Sequence, residues 1–502
     1  MALKRISFAA IMPGLMSVVG WTVFNWTSAP SRNVPHPGVA STATRAATAP
    51  SPENDKELLE RGQELFSREW IAGDPRSHAG DGLGPVYNAQ SCAACHRLRG
   101  IGGAGNNETN VSLVTVFVSE KFEGMITGFL PEHPLPPANG PKKFVRGGKP
   151  GREIELEMPS QEELVKIHPI LLTQPSFPLH RFGAGSEFAQ WRASIFPKDE
   201  TRFERPNNQG SNRLHSSGRL TLIESRRNTP PLFGAGLIDA IPDRVLEEVA
   251  ADQEQAAAGA PPPSGLTLNE VQPVRGRVAR RKDGRACRFG WKAGVANLRE
   301  FTLQACSSEL GLEVPGFARA APPWKSGDKA PGVDLTSAQV DALTGFVASL
   351  PRPRVRPADS TDDAGAIQRG RELFASVGCA VCHRPTLGSV EGIYSDLLLH
   401  DMGHHLSDSG SYTVLEPELA STDAPRPPRP ANELEWRTPP LWGLRDSAPY
   451  LHDGRAATVA DAVAFHGGEG LSAAQAYARL PEKEREQVEL FLKTLAAPTT
   501  AP

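Results

Sequence analysis

The chain has 502 residues and a formal net charge of −3. That length supports two or three domains, each with its own core, and the near-balanced charge points to no nucleic-acid partner. Glycine (47 residues) and proline (46) are both plentiful, which implies many ordered loops between short regular elements.

At the N-terminus, Lys4 and Arg5 precede an apolar run from Ile6 to about Phe24. Residues 1–28 therefore read as a signal peptide or an uncleaved membrane anchor. Residues 29–55 are rich in Ser, Thr, Ala and Pro and read as a disordered tether. A helical lead-in follows, Arg61-Gly62-Gln63-Glu64-Leu65-Phe66, and then Cys92-Ala93-Ala94-Cys95-His96. In Cys-x-x-Cys-His the two thiols add to the vinyl groups of a haem and the histidine ligates its iron. Beyond it, Val111–Val118 and Ile154–Met158 carry strand-like apolar patterns. Leu335 to Leu350 is a helix with Leu335, Leu343, Phe346 and Leu350 on one face.

The same series then recurs. Residues 351–364 are a proline-rich, extended linker. Arg369-Gly370-Arg371-Glu372-Leu373-Phe374 repeats the lead-in, and Cys379-Ala380-Val381-Cys382-His383 repeats the haem motif. Thr229-Pro230-Pro231-Leu232-Phe233-Gly234 returns as Thr438-Pro439-Pro440-Leu441-Trp442-Gly443. A closing helix, Leu480 to Leu495, carries Leu480, Val488, Phe491 and Leu495 on one face. The fold expected is mainly α: two cytochrome c-type haem domains from an internal duplication, at 56–350 and 365–498. From Cys92 to Thr229 is 137 residues, against 59 from Cys379 to Thr438. The excess reads as a large, partly β insertion at about 97–228. In each half the first and last helices should cross beside the haem, through Leu65, Phe66 and Phe346, and through Leu373, Phe374 and Phe491.

The second axial ligand decides between a closed electron-carrying iron and an open, reactive one. His96 and His383 supply the first ligands. Matching Gly290 to Gly454 sets Arg288 against His452 and Thr302 against His466. Neither Arg nor Thr is a usual ligand for haem iron, so the alignment predicts a closed haem at His383, capped by His466, and an open one at His96. Met402, His400 and His452 are the alternatives to His466. Met158, His168, His180 and His215 are the side chains in the insertion able to cap the first iron. The two remaining cysteines, Cys287 and Cys306, are expected to form a disulfide, which with the haem motifs and the leader places the protein in the periplasm, soluble or held at the inner membrane.

These segments resemble the di-haem oxidoreductases described as thiol oxidoreductases, relatives of the bacterial di-haem cytochrome c peroxidases. The likeness runs from about residue 60 to 495. It is carried by Gly82-Leu83-Gly84-Pro85 through His96, Arg227 to Ile238, Arg288 to Ala293, Asp396 to Gly403, Trp436 to Gly443 and Tyr450 to Ala456. The resemblance implies two covalent haem c groups, with electrons entering at the C-terminal haem and peroxide reduced at the N-terminal one. It fits a calcium ion between the halves, although no ligand cluster stands out in the sequence. The peroxidase relatives use a Met where His466 stands, and imidazole in its place lowers the potential of that haem. Glu224 is the candidate distal base. Arg227 and Arg288 are candidates for distal cations or haem-propionate partners. Trp291 or Trp442 is a candidate relay between the haems. The electron donor is expected to be a small redox protein or quinol-linked, with peroxide or O2 as the small-molecule substrate. Two other readings stay open: a two-haem electron carrier without turnover, and an oxidase or oxygenase using O2. Thiol chemistry has little support, because Cys287 and Cys306 lack a Cys-x-x-Cys arrangement.

Overall fold

The helix Pro52–Ser67 carries the first lead-in, and it packs across the helix Ser337–Ser349. A Cβ on Gly62 would lie 2.1 Å from the Ala342 carbonyl oxygen, so only glycine permits this approach. Leu65 and Phe66 are buried beside it, and the Phe66 and Phe346 rings meet at 5.4 Å. The second lead-in repeats the arrangement. Thr361–Ser376 packs across Glu482–Lys493. A Cβ on Gly370 would lie 1.9 Å from the Gln487 carbonyl oxygen, and Phe374 meets Phe491 at 5.5 Å. Burying such aromatic and aliphatic side chains stabilises each crossing by about 1.5–3 kcal/mol per residue. The contacts expected of Leu65, Phe66, Phe346, Leu373, Phe374 and Phe491 are therefore in place.

The computed structural model describes residues 52–498 apart from 119–142, 148–152, 158, 173–175, 197–200, 205–210, 218–219, 260–271, 282, 326, 354, 358–360 and 409–430. The leader and most of the tether lie outside them, as do the proline-rich stretches Pro131–Pro137 and Ala260–Pro263. Among the described residues no helix is long and apolar enough to cross a membrane.

The chain is helix-rich with several small sheets. The largest sheet lies between the first haem motif and Thr229. Its strands run, in spatial order, Ser176–Leu179, Val111–Val118, Leu220–Arg227, Ser211–Ser217 and Thr201–Glu204, each pair antiparallel. Val111–Val118 is β as expected, and Glu153–Glu157 pairs with Lys143–Gly147 in a separate hairpin. Val114, Val116 and Leu222 of the large sheet pack with Leu164, Phe177 and Trp191 into one apolar cluster. The strand Leu220–Arg227 runs directly into Asn228-Thr229-Pro230, so the sheet fixes where that turn enters the site.

One expectation is overturned. Cys287 and Cys306 are both free thiols. Cys287 sits in a short hairpin strand and Cys306 within the helix Leu298–Glu309, and they are buried in different apolar clusters.

Candidate functional site

Both Cys-x-x-Cys-His motifs form single tight turns. In the first, the Ser91 hydroxyl caps the helix Cys92–Cys95 by accepting from Ala94 N at 3.1 Å, and His96 N donates to Cys92 O at 3.0 Å. In the second, Gly378 (φ +97°) starts a 3-10 turn at Cys379, and His383 N donates to Cys379 O at 3.0 Å. Each turn presents two thiols and then a histidine. Nδ1 of His383 donates to the Tyr394 carbonyl oxygen at 3.0 Å, which leaves Nε2 as the ligand atom. Burial pushes His96 and His383 down to about 4, so both rings are neutral at pH 7, as metal ligation requires. Nδ1 of His96 is buried without a well-formed hydrogen bond, although backbone groups of Gly103 and Pro230 favour its charged form.

Burial raises Cys92 and Cys379 to about 12 and Cys95 and Cys287 to about 11, and it also raises Cys382 and Cys306. Thiol–disulfide chemistry needs a thiolate, and none of these six cysteines is poised to form one.

A cavity of about 630 Å³ runs from Cys379, Cys382 and His383 to the turn Thr229-Pro230-Pro231. It reaches both halves. From the second half come Thr438, Pro439, Trp442, Tyr450, His452 and His466; from the first come Thr229, Pro230, Phe233, Phe289, Trp291 and Leu298. His466 donates from Nδ1 to the Ala462 carbonyl oxygen at 2.8 Å, leaving Nε2 as its ligand atom. Met402 is beside it: a Cβ on Gly470 would lie 3.1 Å from Met402 Cε and 3.2 Å from His466 Cβ. His400 has both ring nitrogens engaged, Nε2 with Asp396 Oδ2 at 2.9 Å and Nδ1 with Glu469 Oε2 at 2.6 Å. It has no nitrogen left for iron. His452 stacks on Trp436 at 3.7 Å, and its Nε2 lies 3.5 Å from Asp408 Oδ2 without a well-aligned hydrogen bond. Asp408 is ion-paired with Arg227 at 2.7 Å. The far side of Trp436 is met by Lys292 Nζ, 3.5 Å from the ring centre, which donates to the carbonyls of Asn432, Glu433 and Glu435.

The backbone corrects the register drawn from the sequence. The bridge Phe289–Val295 has its equivalent in Tyr450–Ala456. The left-handed positions Gly290 and Ala293 correspond to Leu451 and Gly454. The helix caps Asn297 and Thr458 correspond as well. Trp291, not Arg288, then stands against His452, and Ala305, not Thr302, stands against His466. The shift is three residues, because two glycines were matched that occupy different ends of the turn. The asymmetry survives it: the first half has no histidine at either position.

The remaining candidates fall in different places. Arg288 lines the cavity and is paired with Asp243 and the Ile241 carbonyl. Arg227 and Glu224 are buried on the strand leading to Thr229 and do not line the cavity; Glu224 Oε1 accepts from Ser112 Oγ at 2.7 Å. His168 stacks on Phe177 at 4.6 Å, His180 Nε2 donates to Ser308 O at 3.0 Å, and neither lines the cavity. Met158 and the side chain of His215 lie outside the described residues. The group able to hold a metal among the described residues is Cys382, Asp396 and His400, and it lies within the second haem motif's surroundings. It does not resemble an oxygen-ligand calcium site. Sequence reasoning passed over Trp436, Arg437, Asp408, Lys292 and Glu469. Lys292, Trp436 and Arg437 stand in matching segments, but nothing local marks them as buried.

The donor sets fit haem. Each pairs two thiols with a neutral imidazole, and the cavity borders the second set and touches Pro230, the backbone neighbour of His96. A family model described as "Di-haem oxidoreductase, putative peroxidase" matches residues 198–495. No curated protein matches the chain. Among solved structures, "Kuenenia stuttgartiensis Hydrazine Synthase Pressurized with 20 bar Xenon" is similar at 17% identity, over 54% of this chain and 73% of that chain, with a TM-score of 0.28. "Crystal structure of a MauG-like protein associated with microbial copper homeostasis" is similar at 17% identity, over 51% of this chain and 90% of that chain, with a TM-score of 0.25.

Proposed function

Because the chain belongs to the di-haem oxidoreductase family, we propose that it is a periplasmic di-haem peroxidase, taking electrons in at its second half and reducing peroxide at its first. Two duplicated cytochrome c-type domains, the first with the β insertion, each hold one haem c. Cys92, Cys95 and His96 hold one; Cys379, Cys382 and His383 hold the other. Bound haem supplies one-electron storage at a closed iron and a peroxide site at an open one.

The residues divide the roles. Tyr394 O fixes the His383 tautomer, and Ala462 O fixes that of His466. His383 and His466, two imidazoles of set orientation, would hold the second iron and suit it to electron storage, with Met402 the neighbouring alternative to His466. Trp442 lies where the halves meet and is the better placed relay. Trp436 is covered by the Lys292 amino group, which burial pushes well below the usual lysine range, and is stacked on His452. Arg288 belongs to the cavity wall. Glu224 and Arg227 stand behind it, and Arg227 holds Asp408 against His452. The electron donor is a small redox protein or a quinol-linked carrier.

The observation that carries this reading is Ala305 at the position of His466. A methyl group offers iron no ligand. Low-temperature EPR of the oxidised protein, after pyridine haemochrome has counted two haems, tests it. One high-spin and one low-spin ferric signal are expected. Two low-spin signals would transfer the reading to an electron carrier without turnover.

A further inference from the structure

Arg437 is 9% exposed and borders the cavity. Its Nε donates to the Gly290 carbonyl at 2.9 Å and Nη1 to the Thr438 carbonyl at 3.3 Å. A guanidinium has five N–H donors, so 5 − 2 leaves three directed to neither carbonyl. Other arginines around it have acids: Arg227 has Asp408, Arg277 has Glu435, and Arg288 has Asp243. Among the described residues Arg437 has no carboxylate within ion-pair distance. A buried cation without a counter-ion is unfavourable, and burial pulls this one down to about 10. The missing anion is expected on the cavity side. A planar fork of donors fits a carboxylate by two parallel hydrogen bonds, whereas neutral peroxide offers no charge to balance it.

We propose that Arg437 anchors a propionate of the second haem, an assignment that rests on haem being held by Cys379, Cys382 and His383. The second haem is chosen because the cavity that Arg437 borders is lined by Cys379, Cys382 and His383. The position equivalent to Arg437 in the first half is Asn228, also at the cavity, whose Nδ2 donates to the Pro449 carbonyl at 2.7 Å. The first half therefore carries no charge at this position, and the charge of Arg437 favours the reduced state of the second haem.

Spectropotentiometry of the holoprotein as Arg437→Gln and Arg437→Lys tests this. Arg437→Gln is expected to shift the reduction equilibrium of the low-spin haem about tenfold toward ferric, roughly 59 mV for a one-electron couple, with the other haem unmoved. Arg437→Lys, which keeps the charge, is expected to shift it less. Unchanged potentials in Arg437→Gln, or equal shifts in the two variants, would overturn the assignment, the latter pointing to packing alone. Acetate is expected to leave the wild-type spectrum unchanged. An acetate response lost on Arg437→Lys would instead make this a site for a free carboxylate. Wild-type protein without two haemochromes would sink the haem reading itself; two haemochromes with unmoved potentials would sink the propionate assignment alone.

Discussion

Asn228 donates its main-chain N–H to the carbonyl of His452 at 2.6 Å, joining the turn of the first half to the loop of the second. The reciprocal bond runs from Arg437 N to the Trp291 carbonyl at 3.0 Å. Asn228 and Arg437 each precede a Thr-Pro-Pro-Leu turn, and Trp291 and His452 are equivalent in the corrected register. The exchange continues one turn on. Trp442 packs on Gly234, and Phe233 packs toward Gly443. Each half thus closes a wall of the other's site, and Ser51–Pro502 forms one compact unit.

Gly234 and Gly443 are equivalent in sequence and in backbone, with φ of +72° and +68°, but not in surroundings. A Cβ on Gly234 would lie 2.3 Å from Trp442 Cζ3, whereas on Gly443 the nearest atom is 3.6 Å away. Gly443→Ala should cost about 1–2 kcal/mol, the penalty of a left-handed L-residue. Gly234→Ala should add overpacking of about 1–3 kcal/mol. Urea unfolding of the two holoproteins should rank Gly234→Ala as the less stable; equal midpoints would remove the interlocked turn from the account.

His466 and Met402 are neighbours, and one substitution separates them. His466→Ala should abolish the low-spin ferric signal of the second haem. His466→Met should keep a low-spin iron and raise its potential, because a thioether donates less strongly than imidazole. Met402→Leu should leave the signal unchanged. A low-spin signal lost in Met402→Leu and kept in His466→Ala would exchange the two roles.

Much of the site was legible where local pattern and tertiary need coincide. The lead-in glycines Gly62 and Gly370 precede Leu-Phe pairs at helical spacing, and that spacing puts glycine at the crossing and the apolar pair beneath it. The loop register was not legible. Ala293 and Leu451 adopt left-handed φ without being glycine, so glycine matching locked onto the wrong ends of the turn. Asp408 was invisible for another reason. Its partner Arg227 is 181 residues away, and no local spacing announces such an ion pair. The Cys287–Cys306 bridge failed because an even count of spare cysteines says nothing of their geometry.

Free Cys287 and Cys306 lead to a counting experiment. Six cysteines less the four of the haem motifs leave two. Holoprotein denatured without reductant should release two thiols to a disulfide reagent, and native protein none within the same time, since both side chains are buried with raised pKa values. No thiols after denaturation would restore the bridge.

His168 and His180 give the fold an acid-labile element apart from the cavity. Burial lowers His168 to about 3, with a smaller push from His180, and lowers His180 to about 4. The unfolded chain titrates near 6.5, so between that value and about 4 the unfolded state binds more protons than the folded one. Stability from keeping these rings neutral is complete above pH 6.5 and is lost as pH falls through that window, by up to about 1.4 kcal/mol per pH unit for each group. His180→Gln retains a donor for the Ser308 carbonyl but does not titrate. Its urea midpoint should fall less than that of the wild type between pH 7 and pH 5. Equal falls would mean that His180 is already protonated in the folded protein at pH 5, against the burial that surrounds it.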